Sequence, residues 1–408
     1  MNKEFFTIRL SEIADVIAGQ SPESIYYSNT NGVPFLQGNR TFGNLYPTID
    51  TYTSRVTKLA KKGDVLMSVR APVGDLNYAP LDLCIGRGLA SIRSKSGNNE
   101  FIYYALKYNI RTLLKQGSGT TFDSVNKDVI NDFELIIPES IHDRENITKV
   151  LNTLDKKIEL NNLINVELES MSKTLYDYWF VQFDFPDENG KPYKTSGGKM
   201  VWSEELNREI PEGWKVRKLG DIGNFKNGVN YDPSNPGEIA CPIINVRNIS
   251  ASTYFIKNED LDIIYLRKSD VKKYAVHNGS IIIARSGIPG ATRLIADIAE
   301  NTLYCGFAIH YQLENLDFKI PIFFYLKSNE YQIQNNGSGG TIMKNVNQLT
   351  LNALNVCLPR DNSLLLGFNN LIQPIFDKIS LIQIENQKLT ELRDWLLPML
   401  MNGQVTVD

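Results

Sequence analysis

Between residues 151 and 175 the chain reads LNTLDKKIELNNLINVELESMSKTL, and 221 positions later, between 372 and 396, it reads IQPIFDKISLIQIENQKLTELRDWL. Steps of alternately three and four residues pick out Leu151, Leu154, Ile158, Asn161, Asn165, Leu168, Ser172 and Leu175 in the first stretch. The same steps give Ile372, Ile375, Ile379, Ile382, Asn386, Leu389, Arg393 and Leu396 in the second. A mostly apolar position every three and a half residues is a heptad seam, the mark of helices that pack along their length. Asn165 and Asn386 share one seam position, where a buried Asn fixes register at some loss of stability. From about Asp143 to Phe180, and from about Ser363 to Leu397, the only glycine or proline residues are Gly367 and Pro374, so long helices are predicted for both spans. If two repeated units are related by an approximate internal twofold, these helices meet antiparallel. A helix of about 38 residues would be roughly 57 Å long. The alternative is that each helix caps only its own domain.

The repeat extends outward from the helices. Gly117-Ser118-Gly119-Thr120-Thr121 recurs as Gly337-Ser338-Gly339-Gly340-Thr341, and Val125-Asn126 and Pro138 match Val346-Asn347 and Pro359. Leu10, Ile13 and Gly19 match Leu219, Ile222 and Gly228; Pro34 matches Pro242; Gly63 and Gly74 match Gly279 and Gly290. Gly88 and Ala90 pair with Gly306 and Ala308 at an offset of 218. A drifting offset is what loop insertions between equivalent elements leave behind. Each half opens with β-type runs after turn signals, such as Asp64 to Val69 after Lys62-Gly63 and Ser280 to Ala284 after Asn278-Gly279. A helix is predicted at 98–116. The predicted fold class is therefore α+β: two similar mixed α/β domains separated by an antiparallel coiled coil of two long helices.

At 408 residues the chain exceeds the roughly 250 to 300 at which a single core stops growing, in keeping with two domains. Its net charge of −3 hides a segregation: 1–138 carries +2, 139–184 −4, 185–213 −2, 214–360 +4 and 361–408 −3. Two mildly basic blocks, each followed by acidic helix, suit a nucleic-acid partner for the blocks and protein partners for the helices. These segments are taken as first domain, central helix, linker, second domain and C-terminal helix. No apolar run reaches the roughly 20 residues that cross a bilayer, and Glu4 stands where a signal peptide is apolar, so a cytoplasmic protein is expected. Cys84, Cys241, Cys305 and Cys357 lie far apart and read as buried thiols.

Catalytic patterns are missing. His142, His277 and His310 have no metal-ligand spacing, and no GxxxxGK[ST], GxSxG or strand-borne GxGxxG occurs. There is no Pro-Pro, which a DNA methyltransferase acting on a flipped base would be expected to carry. No catalytic or metal-binding constellation stands out, and the repeat points to a chain that binds two similar things.

The order domain, long helix, domain, long helix resembles the DNA specificity subunit of type I restriction-modification enzymes. The run Lys62-Gly63-Asp64-Val65-Leu66-Met67-Ser68-Val69-Arg70-Ala71-Pro72-Val73-Gly74 is similar to that family, as is the linker from Leu175-Tyr176-Asp177-Tyr178-Trp179-Phe180 through Lys199-Met200-Val201-Trp202 to Ile210-Pro211-Glu212-Gly213-Trp214. The resemblance implies two target recognition domains, each reading one half of a split, asymmetric site in double-stranded DNA, with the helical rod setting the spacer. It implies a non-catalytic chain with no metal, no small-molecule substrate and no cofactor of its own, two methylation subunits, which carry S-adenosylmethionine, docked along the rod, and motor-nuclease restriction subunits that use ATP and Mg. Two rivals are an adaptor that holds two protein clients and an enzyme with an unlisted nuclease or transferase site.

Direct readout favours Arg or Lys on guanine and Asn or Gln on adenine, presented by loops. Three groups recur in both halves. Gln37, Asn39 and Arg40 stand opposite Asn245, Arg247 and Asn248, and Arg70 stands opposite Arg285 and Ser286. Ser118, Thr120 and Thr121 stand opposite Ser338, Thr341 and Lys344, where small residues let backbone approach phosphate. The alternative is that the two arginines hold structural salt bridges. The arginine of the second half is one place nearer the start relative to the glycine that follows, which in a strand reverses its face. The predicted helix seam is Leu154, Ile158, Asn165, Leu168 and Leu175 with Ile375, Ile379, Ile382, Asn386, Leu389 and Leu396.

Overall fold

The computed structural model describes residues 5–116, 124–232, 234, 236–258, 261–335 and 345–407. Its two compact units are Met1–Asn162 with Asn386–Asp408, and Leu163–Glu385. Each long helix is shared between them.

The first unit is built on a four-stranded antiparallel sheet in the order Ala14–Ala18, Leu89–Ser94, Val65–Ser68, Leu76–Tyr78. Val65 and Met67 join a core with Phe101, Ile102 and Ala105 of the helix Asn99–Gln116. Leu66, between them, joins a second core with Leu36, Leu83 and Ile85 of a five-stranded sheet of short strands. Side chains alternate faces along a strand, so a strand covered on both sides reads as a continuous apolar run. The second unit repeats this design. Gly223–Asn227, Ala308–Leu313, Ile281–Ala284 and Thr292–Leu294 form a sheet in the same order. Ile281 and Ile283 face a core with Ile322 and Phe323, while Ile282 and Ala284 face one with Ile243 and Leu303. Short helices Lys127–Asn131 and Gln348–Asn352 are capped alike: the Asn126 side chain accepts from the Val129 amide and the Asn347 side chain from the Thr350 amide.

Backbone hydrogen bonds align the two copies residue by residue. Gly74 N–H donates to Ser68 O and Gly290 N–H to Ala284 O, both at left-handed glycines (φ 98° and 90°). Gly19 N–H donates to Leu89 O and Gly228 N–H to Ala308 O. A Cβ on Gly19 would run into the Gly86 carbonyl, and one on Gly228 into those of Tyr304 and Cys305, so both strands need glycine where they cross. Leu89 N–H donates to Gly86 O and Ala308 N–H to Cys305 O. These bonds pair Gly88 with Phe307 and Arg87 with Gly306, correcting the match of Gly88 to Gly306 and Ala90 to Ala308 by one residue.

The seam helices are Ile141–Tyr176, continued by a π-helical turn at Asp177–Val181, and Asn362–Met401. Within the first unit Asn161 Nδ2 donates to Asn386 Oδ1 (2.8 Å) and Arg393 pairs with Asp155 (2.7 Å), so the segments run antiparallel. Within the second, Glu169 O accepts from the Tyr254 hydroxyl, whose ring meets Phe376, while Phe180 meets Phe368, again antiparallel. Ile158, Asn165, Ile375, Ile379 and Ile382 are buried, and Leu154, Leu168, Leu175, Asn386, Leu389 and Leu396 half-buried. Phe180 packs on Trp214 and Trp179 on Phe368, whereas Tyr178 is exposed.

The two seam asparagines differ in their bonds. Asn386 takes Asn161 and also donates to Asn162 Oδ1. The repeat equivalent of Asn161 is Ile382, which has no polar group, and the buried Asn165 Oδ1 has no partner among the described residues. A buried unanswered carbonyl is destabilising. Asn165→Leu is therefore expected to increase folding stability by about 1 kcal/mol. The check is the urea midpoint, and a lowered midpoint would show that the amide is needed.

Cys84, Cys241 and Cys305 are buried thiols and Cys357 is half-buried. His310, facing Lys226 across the ladder, is buried, and burial, helped by His277 and Lys226, pushes its imidazole down to about 4. A free imidazole titrates near about 6.5, so between those values the unfolded chain binds the extra proton and stability falls as pH drops. The expected loss by pH 4 is on the order of 3 kcal/mol. His310→Gln should flatten this part of the pH-stability curve; an unchanged slope would contradict the assignment.

Candidate nucleic-acid interface

In the first unit the loop after Val33–Leu36 and the turn after Val65–Ser68 converge. Gln37, Asn39, Arg40 and Arg70 line one depression of about 320 Å³, together with Gly38, Arg87 and Gly88. Two of the predicted groups thus come together. Their side chains are differently engaged. Arg40 makes a two-pronged contact with Asp50 (2.9 and 2.7 Å), and this hydrogen bond holds the Asp50 carboxyl below its usual range. Asn39 donates to Asp75 Oδ2 (2.6 Å) and Pro72 O (3.3 Å). Gln37 and Arg70 are exposed, and Arg70 has no ion pair among the described residues.

In the second unit Asn245 and Arg247 both bond Asp262 (2.8 and 2.6 Å), and the Arg247 contact holds that carboxyl below its usual range. Asn248 corrects the prediction. It is buried, and its Oδ1 accepts from the Asn245 amide (2.8 Å) at the start of a short helix, so it is a cap. Arg285 and Ser286 are half-buried, and Arg285 has no ion pair among the described residues. Hydrogen bonds from Arg285 N–H to Phe307 O and from Val346 N–H to Arg285 O repeat those of Val69 with Gly88 and Val125. Arg285 therefore stands where Val69 does, and Ser286 where Arg70 does. Ser118, Thr120, Thr121, Ser338, Thr341 and Lys344 lie outside the described residues.

Arg87 was missed from the sequence. It is exposed, has no ion pair among the described residues, and lines the depression shared by the candidates. Its one signal is the flanking pair Gly86 and Gly88.

Among the described residues no group of His, Cys, Asp and Glu could hold a metal ion, and no helix is long and apolar enough to cross a membrane. In the first unit the sheets bring polar and cationic loops to one depression, and the second unit repeats the same sheet order and hydrogen-bond frame, which makes this a chain of two duplicated modules. The family model described as Type I restriction modification DNA specificity domain matches residues 2–170 and 211–394, and the chain belongs to that family. The Type I restriction enzyme MjaIX specificity subunit of Methanocaldococcus jannaschii is 25% identical over 100% of this chain and 94% of its own length. A putative type I restriction enzyme MjaX specificity subunit of the same organism is 39% identical over 163 residues, 39% of this chain and 38% of that protein. The HindI specificity subunit of Haemophilus influenzae is 24% identical over 85% of this chain and 88% of its own. The fold is similar to the crystal structure of a type I restriction-modification S subunit from M. genitalium, with a TM-score of 0.59, 15% identity and coverage of 98% and 96% of the two chains.

Proposed function

We propose that the chain is the DNA specificity subunit of a type I restriction-modification system, in which each globular region reads one half of a split, asymmetric target and the paired helices set the unread spacer. The observation that carries this reading is the hydrogen-bond frame that recurs from Gly19 to Val125 and from Gly228 to Val346. Each copy presents polar loop residues of different identity on the same scaffold, as a reader of two different half-sites requires. The reading assigns methylation and restriction to partner subunits, with S-adenosylmethionine, ATP and Mg bound there, in the cytoplasm.

The helices support a docking role for two copies of one methylation subunit. Leu160 and its repeat equivalent Leu381 are exposed, as are Met171 and its equivalent Leu392. Exposed apolar residues at repeated positions suit a repeated partner.

The test is to express the chain with its methylation subunit and sequence the methylated sites. A bipartite motif with two unlike halves and a fixed gap is expected. A contiguous motif, or none, would refute the reading, and salt-insensitive binding of two protein clients would favour the adaptor.

A further inference from the structure

The two readers do not carry the same cations. In the first, Arg70 and Arg87 flank one depression and sit on backbone segments that are bonded to each other, since Val69 N–H donates to Gly88 O (2.9 Å). The turn bearing Arg87 is fastened on every side. Gly86 N–H donates to Leu36 O (2.7 Å), Gly88 N–H to Gln37 O (3.0 Å), and the Arg87 amide to Ser21 Oγ (3.2 Å). A Cβ at Gly86 would lie 2.8 Å from the Gln37 Cα, and one at Gly88 2.6 Å from the Gln37 carbonyl oxygen, so the turn lies directly on the candidate loop. In the second reader the equivalent places hold Ser286 and Gly306, and a Cβ at Gly306 would run into Asn230 Oδ1, leaving no room for a side chain. Arg285 occupies the neighbouring place, half-buried, and Phe307 is exposed beside it.

We infer that Arg70 and Arg87 are specificity-determining residues of the first reader alone, and that Arg87 reads a guanine through its O6 and N7 acceptors. This rests on the specificity-subunit reading above. Two observations, a guanidinium without an acidic partner and a backbone turn fastened on several sides, separate Arg87 from Arg40 and Arg247. Arg40 is held by Asp50, Asn39 by Asp75, and Arg247 by Asp262, whereas Arg70 and Arg87 have no acidic partner among the described residues. An unpaired guanidinium, a planar fork of donors, matches the guanine edge in the major groove. A rigid base places that fork within the narrow tolerance that base discrimination needs, whereas a phosphate contact tolerates a loose one. The second half-site is consequently read without a cation at these two places.

The test uses the full chain with its methylation subunit. Binding is measured on a pool of duplexes randomised in both half-sites, and on nonspecific duplex, for the wild-type chain and for Arg87→Ala and Arg70→Ala. Arg87→Ala is expected to lower discrimination at one guanine, in one half-site, by roughly 10- to 100-fold, while the other half-site keeps its preference and nonspecific binding changes by less than about threefold. Arg70→Ala should act within that same half-site. A uniform loss over all sequences with a shallower salt dependence would make Arg87 a phosphate contact and overturn the inference, as would an unchanged preference or relaxation in both halves. Unchanged thermal unfolding of the exposed-site variants separates a reading defect from a folding one. If the wild-type chain itself selects no bipartite site, the underlying reading has failed instead.

Discussion

Replacing Asp155 by alanine is expected to remove about 3 to 5 kcal/mol of folding stability, the usual consequence of stranding one member of a buried ion pair. Asp155 is fully buried and holds Arg393 (2.7 Å) with one oxygen and the Tyr104 hydroxyl (2.7 Å) with the other. Burial works against the Arg393 charge, but hydrogen bonds to Asp394 and the field of Asp155 outweigh it, so the guanidinium is held more firmly protonated than usual. Without Asp155 it keeps, among the described residues, only the exposed Asp394. The repeat shows that charge is not the only solution at this place: the equivalents of Asp155 and Arg393 are Phe376 and Ser172, and Phe376 sits in an aromatic core with Tyr254, Phe323 and Phe324. Asp155→Leu combined with Arg393→Met and with Tyr104→Phe, which removes the hydroxyl that Asp155 otherwise holds, should therefore lie close to wild type or above it in urea denaturation. A single Asp155→Ala loss below about 1 kcal/mol would contradict the account.

Adding one heptad to each long helix is expected to move methylation wholly from the original spacer to a longer one, with both half-site sequences kept. Seven residues add roughly 10 Å of helix, about three base pairs of duplex. The insertion must go into both helices at positions that face each other, for instance after Ile158 and after Leu389, because the antiparallel contacts of Asn161 with Asn386 and of Asp155 with Arg393 fix their register. Sequencing the methylated sites reads the outcome. An assembled, active variant that still methylates only the original spacing would remove the ruler role.

The helices and their seam were legible because a period of three and a half residues survives any tertiary setting, and glycine and proline are scarce enough there to leave no other reading. The sheets were legible where apolar runs followed a turn, as at Val65–Ser68 and Ile281–Ala284. The candidate site was legible only in part. Residue types that read bases also make surface ion pairs, so nothing in the sequence could tell that Arg40 and Arg247 are taken by Asp50 and Asp262. Comparing a chain with its own repeat brings forward what occurs twice, and Arg87 occurs once: the identity of Gly88 with Gly306 drew the match one residue off and concealed it. Asp155 and Arg393 were hidden for the same reason, since their repeat equivalents are uncharged and no local pattern links residues so far apart.

The claim on which the account turns is that the two globular regions read separately, and exchanging one of them tests it most directly. Residues 214–360 would be replaced by the corresponding region of a relative with a different second half-site, and the methylated sites sequenced with the same methylation subunit present. The account predicts a motif in which one half changes to that of the donor while the other half and the gap stay as they were. A change in both halves at once, or no change in either, would contradict it.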